Sequence, residues 1–136
     1  MITNADITIY NKKIIKGQDK AEYNPVHIRG VHWYTDIKTE ITEKGLVTAN
    51  VFKIRIPVDA DTGGKKYVDP ETYAKLADVS ESWTIENGDI FVRGIVSDDI
   101  VKASDILQKY KDISGKVLSW SNNIFGSLPH WRIGGA

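Results

Sequence analysis

The sequence predicts a mainly β domain, a small antiparallel β-barrel of about six to eight short strands with two short helical inserts. Three observations point there. Alternating apolar stretches recur along the 136 residues, separated by Gly, Pro, Asn and Asp turn signals. The stretch from Trp83 to Val96 sets Asn87-Gly88 between two β-rich runs, and those two residues tolerate the positive φ of a tight hairpin turn. Gly30 and Gly94 each interrupt a strand pattern, where a bulge or bend lets a sheet curl.

Taken in order, Asp6 to Asn11 alternates with Ile7 and Ile9 on one face and reads as the first strand. A polar stretch from Lys16 to Glu22 with no helical stripe reads as an exposed loop, placed around residues 16–24. Pro25 to Tyr34 resumes strand chemistry, with Val26, Ile28 and His32 on one side and His27, Arg29, Val31 and Trp33 on the other. Thr35 to Thr42 alternates weakly, as an edge strand or an extended arm would, before Glu43-Lys44-Gly45 turns the chain. Val51 to Val58 is the cleanest strand, with Phe52, Ile54 and Ile56 inward; proline cannot donate to a ladder, so the strand ends at Pro57 or runs along an edge.

A second exposed loop, flexible by composition, covers residues 59–68 and includes Asp59 to Lys66. Asp69 as N-cap and Pro70 at the first helical position start a helix of about two turns. The hairpin follows, with Ile90, Val92 and Val96 on one face and Phe91, Arg93 and Ile95 on the other, so both faces are partly apolar and the strand is central. Ser104 is placed to cap a second short helix. Ile113 to Trp120 is strand, residues 121–129 form a third exposed loop, and His130 to Ile133 is the last strand, with Gly134-Gly135-Ala136 fraying. One domain spans residues 1–136, long enough to bury a core without staples.

The totals exclude several classes. Lys plus Arg (18) balance Asp plus Glu (18), which removes the global basic excess that drives non-specific nucleic-acid binding and favours self-association. The absence of cysteine excludes disulfides, a thiol nucleophile and thiolate metal sites. No run approaches the roughly 18 to 20 apolar residues of a membrane span, and Met1 to Asp6 is no signal peptide.

Chemistry-bearing residues select no site. His27 and His32 fall on opposite faces of a strand unless the Gly30 bulge resets the register, and with His130 they match no zinc spacing. Asp59 to Gly64 lacks the third acid and the closing glutamate of a calcium loop. Asp98 and Asp99, with Glu81, Glu86 and Asp89, offer carboxylates that nothing singles out as a pair. Nucleophile elbows, phosphate loops and zinc-protease helices are missing, so no catalytic, cofactor or metal residue is assigned and no enzyme is expected. Trp33, Trp83, Trp120 and Trp131 suit either core packing or base stacking, and Lys12, Lys13, Lys16 and Lys20, diluted by Asp19 and Glu22, form the one basic cluster.

The order of landmarks carries a resemblance. Ala5 to Asn11, Gly30-Val31-His32-Trp33, Arg55 to Asp61, Leu76 to Ser80, Trp83 to Asp89 and His130 to Gly135 together resemble a small family encoded among the head and neck genes of tailed phages and prophages of Gram-positive bacteria. The strand-rich pattern, with Gly88-Asp89 entering a late strand, is also similar to head-completion or stopper proteins, small β-barrels that form rings between the portal-bound adaptor and the tail. The paired helical inserts depart from the stopper pattern.

The resemblance implies a head-tail connector of the virion neck, assembled in the host cytoplasm as a ring of identical subunits. Portal or adaptor and tail proteins are its partners; genome DNA passes at most non-specifically, and no membrane is involved. Lys38, Glu40 and Ile41 in the candidate arm and Asp61, Gly63, Gly64 and Lys65 in the loop are the expected subunit-interface residues. A tail terminator or tail-tube partner is the neighbouring alternative, and an oligonucleotide-binding barrel comes from another class.

Overall fold

The structure is a computed structural model that describes residues 2–14, 21–100 and 102–136, with the side chains at 38, 40 and 47–50 excepted. Strands β1 (Ala5–Ile14), β2 (Ala21–Thr42), β3 (Gly45–Pro57), β6 (Ile90–Arg93), β7 (Ser114–Asn123) and β8 (His130–Gly135) close into an antiparallel barrel in the order β1-β2-β3-β8-β7-β6. Between β3 and β6 lie β4 (Lys66–Tyr67), helix α1 (Pro70–Lys75) and β5 (Ser82–Trp83), and helix α2 (Ala103–Lys109) separates β6 from β7.

Period-two patterning builds the wall. Ile7 and Ile9 of β1, Phe52, Ile54 and Ile56 of β3, Phe91 of β6, Val117 of β7 and Ile133 of β8 all face one buried core. Two aromatic trios fill it: Trp33, Phe52 and Phe91 at centroid distances of 5.2 to 5.6 Å, and Tyr67, Trp83 and Trp131 at 4.6 to 5.2 Å. As expected, β6 is central and apolar on both faces. Phe91 enters the barrel, whereas Ile90 and Val92 join Tyr10 on the outside under Ile106 of α2. The Tyr10 hydroxyl donates to the Asp98 carbonyl at 2.8 Å, and burial, with Asp98 nearby, pushes its pKa up to about 12.

The Gly30 bulge is real and changes the inward face of β2. Ala5 pairs with Val31 but Asp6 pairs with Arg29, so Gly30, at φ 87°, is the unpaired extra residue. Val26 and Ile28 face inward before it and Val31 and Trp33 after it. Simple alternation put these two pairs on opposite sides, and the extra residue corrects that. His27 and His32 consequently share the outer face.

Four other expectations are corrected. Asn87-Gly88 does form a turn, with Asp89 N–H donating to the Glu86 carbonyl at 3.1 Å, but its flanks do not pair as a hairpin. Trp83 instead pairs in parallel with Tyr67 of β4, α1 supplying the crossover that parallel strands require, while β6 pairs with β1 and β7. Ser104 lies inside α2 and the cap position is Lys102, which makes no side-chain cap bond. The last residues do not fray: Gly134 and Gly135 pair with both β3 and β7, and Ala136 exchanges backbone bonds with Lys116. The loops are shorter than drawn, since 21–24, 66–67 and 121–123 are strand; residues 15–20, including Lys16 and Lys20, lie outside the described residues.

Helix α1 starts as read. The Asp69 carboxylate accepts the Thr72 N–H at 2.7 Å, which holds its pKa below the usual carboxylate range. Among the described residues, no helix is long and apolar enough to cross a membrane.

Candidate subunit interface

Strand β2 changes partner at the bulge. Up to Val31 it pairs with β1, and from His32 onward with β3. Beyond Phe52, where β8 stops, seven further β2–β3 pairs run from Asp36↔Val51 to Thr42↔Gly45 with no third strand beside them among the described residues. At about 3.3 Å per residue this two-stranded arm extends roughly 23 Å past the wall.

The arm continues the inward-facing side of the barrel into solvent. Ile37 and Ile41 follow Trp33 on that face, and Leu46 sits directly across from Ile41. They are 64%, 88% and 72% exposed. A two-stranded ribbon is at best marginal alone, and among the described residues Ile37, Ile41 and Leu46 stand uncovered on this one. Ile41 thus lies on the arm's uncovered face. Lys38 and Glu40 pair through their backbones with Ala49 and Val47, and their side chains lie outside the described residues.

The 59–66 loop is folded back on its own subunit. Arg29 and Asp61 exchange backbone bonds of 2.8 and 3.3 Å, the Asp61 carboxylate accepts the Gly63 N–H at 2.9 Å, and the Thr62 hydroxyl donates to the Lys65 carbonyl at 2.7 Å. The Lys65 ammonium donates to the Pro25 carbonyl at 2.9 Å, and burial lowers its pKa. Only Gly63 and Gly64 present an open turn. The structure therefore separates the seven candidates: Ile41 belongs to the arm's uncovered face, whereas Asp61 and Lys65 have intramolecular partners.

A second apolar surface was not singled out from the sequence. Phe125 of the β7–β8 loop is 90% exposed, and Leu128 of the same loop and Val58, 57% and 44% exposed, line a groove of about 640 Å³ together with Thr3, Arg29, Gly30, Pro57, Asp59–Asp61, Ser127 and Pro129. It lies at the Pro57 end of β3, and eleven residue steps, roughly 36 Å, separate that end from Leu46 on the arm. The loop composition around Phe125 gave no periodic signal that could have marked it.

Other chemical groups are placed as follows. Trp33, Trp83 and Trp131 are buried in the core and only Trp120 is half exposed, so three of the four cannot act as stacking platforms. His27 Nε2 donates to the Val96 carbonyl at 2.8 Å, and among the described residues no cluster of His, Asp and Glu has metal-site geometry. Asp98 accepts from Lys109 and Tyr110, and the bond to Lys109 holds its pKa down.

Asp89 stands apart from the other carboxylates. It is buried and accepts N–H bonds from the Asn11 side chain, Lys12 and Glu86 at 2.9 to 3.1 Å. Asn11 in turn donates to the Thr84 carbonyl at 2.6 Å and accepts its N–H at 3.2 Å, so the network stitches the 84–89 turn to β1. Burial pushes the Asp89 pKa up to about 6, with the Glu86 charge adding to the rise. The adjoining groove of about 280 Å³ is lined by Lys12, Lys13, Ile14, Tyr73, Ala74, Glu86 and Asn87, leaving Asp89 behind its wall.

Over residues 2–136 the chain matches a protein family described as a family of unknown function (DUF6751). It belongs to that family. No curated protein and no solved structure matches it. The DUF6751 match spans the arm, the 59–66 loop and the surface around Phe125, so every part of the candidate interface lies within it.

Proposed function

We propose that the protein is a structural component of a tailed phage or prophage virion, a head-tail connector of the head-completion type that works as a homo-oligomeric ring in the neck. The arm carries this reading. A closed barrel has no edges of its own to satisfy, yet β2 and β3 leave the wall together with Ile37, Ile41 and Leu46 uncovered. A neighbouring subunit's strand edge would satisfy the arm's main chain and its apolar face at once. The surface around Phe125 and Leu128, at the other end of β3, gives the molecule a second contact, as a component held between two neighbours along a particle axis requires. Partners would be identical subunits, the portal or adaptor on one side and the tail on the other, with assembly in the host cytoplasm.

Native mass measurement with and without purified portal and adaptor tests the proposal. A defined ring on the template is expected, and shortening the arm by removing residues 38–49 should abolish it. Association with tail-tube protein alone would reassign the protein to a tail terminator. No association with any head or tail component would remove the connector reading.

A further inference from the structure

The strand register lays out the outer face of β2, β3, β8 and β7 row by row, because cross-strand partners point to the same side of a sheet. Trp33, Ile54 and Ile133 face inward, so their neighbours along each strand face out. One outer row is His32, Arg55, Arg132 and Ser121, each directly opposite the next. The row beside it is Tyr34, Lys53, Gly134 and Ser119. Neither row contains a carboxylate, and every side chain of the first can donate a hydrogen bond to an anion.

Arg55 and Arg132 are both exposed, and like charges directly opposite each other destabilise a sheet. Among the described residues, neither of them nor Lys53 makes an ion pair. An anion seated between the two guanidinium groups would relieve that repulsion. Acids bound the strip without entering it. Asp36 pairs with Val51, and Ala136 follows the Gly135 partner of Phe52 at the same level. That level is four residues from Arg55, about 13 Å along β3, which exceeds the screening length of about 8 Å at physiological salt. At the other end Asp59 belongs to the turn after β3.

The strip also has relief and aromatic surface. Lys53, Ser119, Trp120, Ser121 and Arg132 help line a groove of about 470 Å³ around Gly134, which has no side chain to fill it. Tyr34, opposite Lys53, is 52% exposed. The rows cross four strands, roughly 14 Å from β2 to β7. A single phosphate would reach only the arginine pair, whereas a chain of phosphates engages Lys53, Arg55 and Arg132 together.

We infer that the outer face of β2, β3, β8 and β7 binds single-stranded nucleic acid without sequence preference, its phosphates on Lys53, Arg55 and Arg132 and a base on Tyr34. A duplex keeps its base faces in its own stack and offers none to Tyr34. The activity is separate from the ring reading and does not rest on it.

Fluorescence anisotropy of a labelled oligothymidylate of about 15 nucleotides tests it across a salt series. Three phosphate contacts give a slope of log K against log salt of about −2. Arg55→Gln/Arg132→Gln should bind about tenfold more weakly or worse and flatten the slope to about −0.7. Tyr34→Ala should bind about fivefold more weakly with the slope unchanged. Lys102→Gln/Lys111→Gln removes equal charge beside α2 and should stay within about twofold of wild type. Far-UV circular dichroism checks each fold, and the wild-type slope needs no variant.

A wild-type chain that ignores the oligothymidylate at low salt would overturn the inference. Equal losses in the arginine and lysine pairs would also overturn it, since net charge alone would then bind. Duplex bound as tightly as single strand, with Tyr34→Ala unaffected, would deny the base contact and overturn the single-strand assignment. Failure to assemble on portal or adaptor, with oligothymidylate still bound, would remove the ring reading and leave this one standing.

Discussion

Replacing Asp89 by Asn should remove a pH trend that the buried carboxyl imposes on stability. Burial raises the Asp89 pKa from 3.8 to about 6, against the bonds from Lys12, Asn11 and Glu86 that favour the ionised form. In the unfolded chain it titrates at its ordinary value, so between about pH 4 and about pH 6 the folded state holds a proton that the unfolded state lacks. Stability from this group is therefore full below about pH 4 and is lost as pH rises through about 6. A rise of about two units corresponds to about 3 kcal/mol.

Asn has the same shape and does not titrate, and all other carboxylates, Glu86 included, are common to both proteins. The difference in unfolding free energy, variant minus wild type, should shift by about 2.5 kcal/mol in the variant's favour from about pH 4 to about pH 7, whatever its starting value. Urea unfolding followed by tryptophan fluorescence at several pH values in that window measures it. A difference independent of pH, or one moving toward the wild type, would show that the three N–H donors outweigh burial, and the assignment of a raised pKa would fall.

Gly135→Ala should disrupt barrel closure, because the added Cβ would overlap the Lys116 carbonyl oxygen and the Phe91 ring; a loss of about 3 kcal/mol or more is expected in urea unfolding. Ile54→Ala empties a fully buried position where β2, β3 and β8 meet and should cost about 3 to 4 kcal/mol in the same assay. Ile41→Ser, at an 88% exposed position, should change stability by less than about 0.5 kcal/mol yet weaken template-dependent assembly. Equal assembly by that variant would deny the arm its contact role.

The barrel was legible because its signals are local. Phe52, Ile54 and Ile56 alternate cleanly in the sequence and point inward as they do so. Asp69-Pro70 announces α1 through capping chemistry that needs no tertiary context. The misses are tertiary in origin. Asn87-Gly88 specifies a turn, but which strands pair on either side is decided by Trp83 joining Tyr67 and Trp131 in the core.

Gly134-Gly135-Ala136 has the composition of a loose end. Only closure of the barrel shows that Phe91 and Lys116 leave space there for glycine alone. In the candidate interface, the extended arm was readable from weak alternation, and the apolar identity of Ile41 marked its uncovered face. The intramolecular bonds of Asp61 and Lys65 could not be read in advance, because their partners, Arg29 and Pro25, are more than thirty residues away in sequence.

The extra residue at Gly30 also gears the arm to the wall. Because it restores the inward phase of Val31 and Trp33, it fixes which side of the ribbon Ile37 and Ile41 occupy some distance away. A chain shortened by that single residue would rotate everything from Val31 to Thr42 by half a turn relative to the interior. Lengthening of this appendage among relatives is thus expected in steps of two residues per strand, the only increments that keep its sticky side facing the same way.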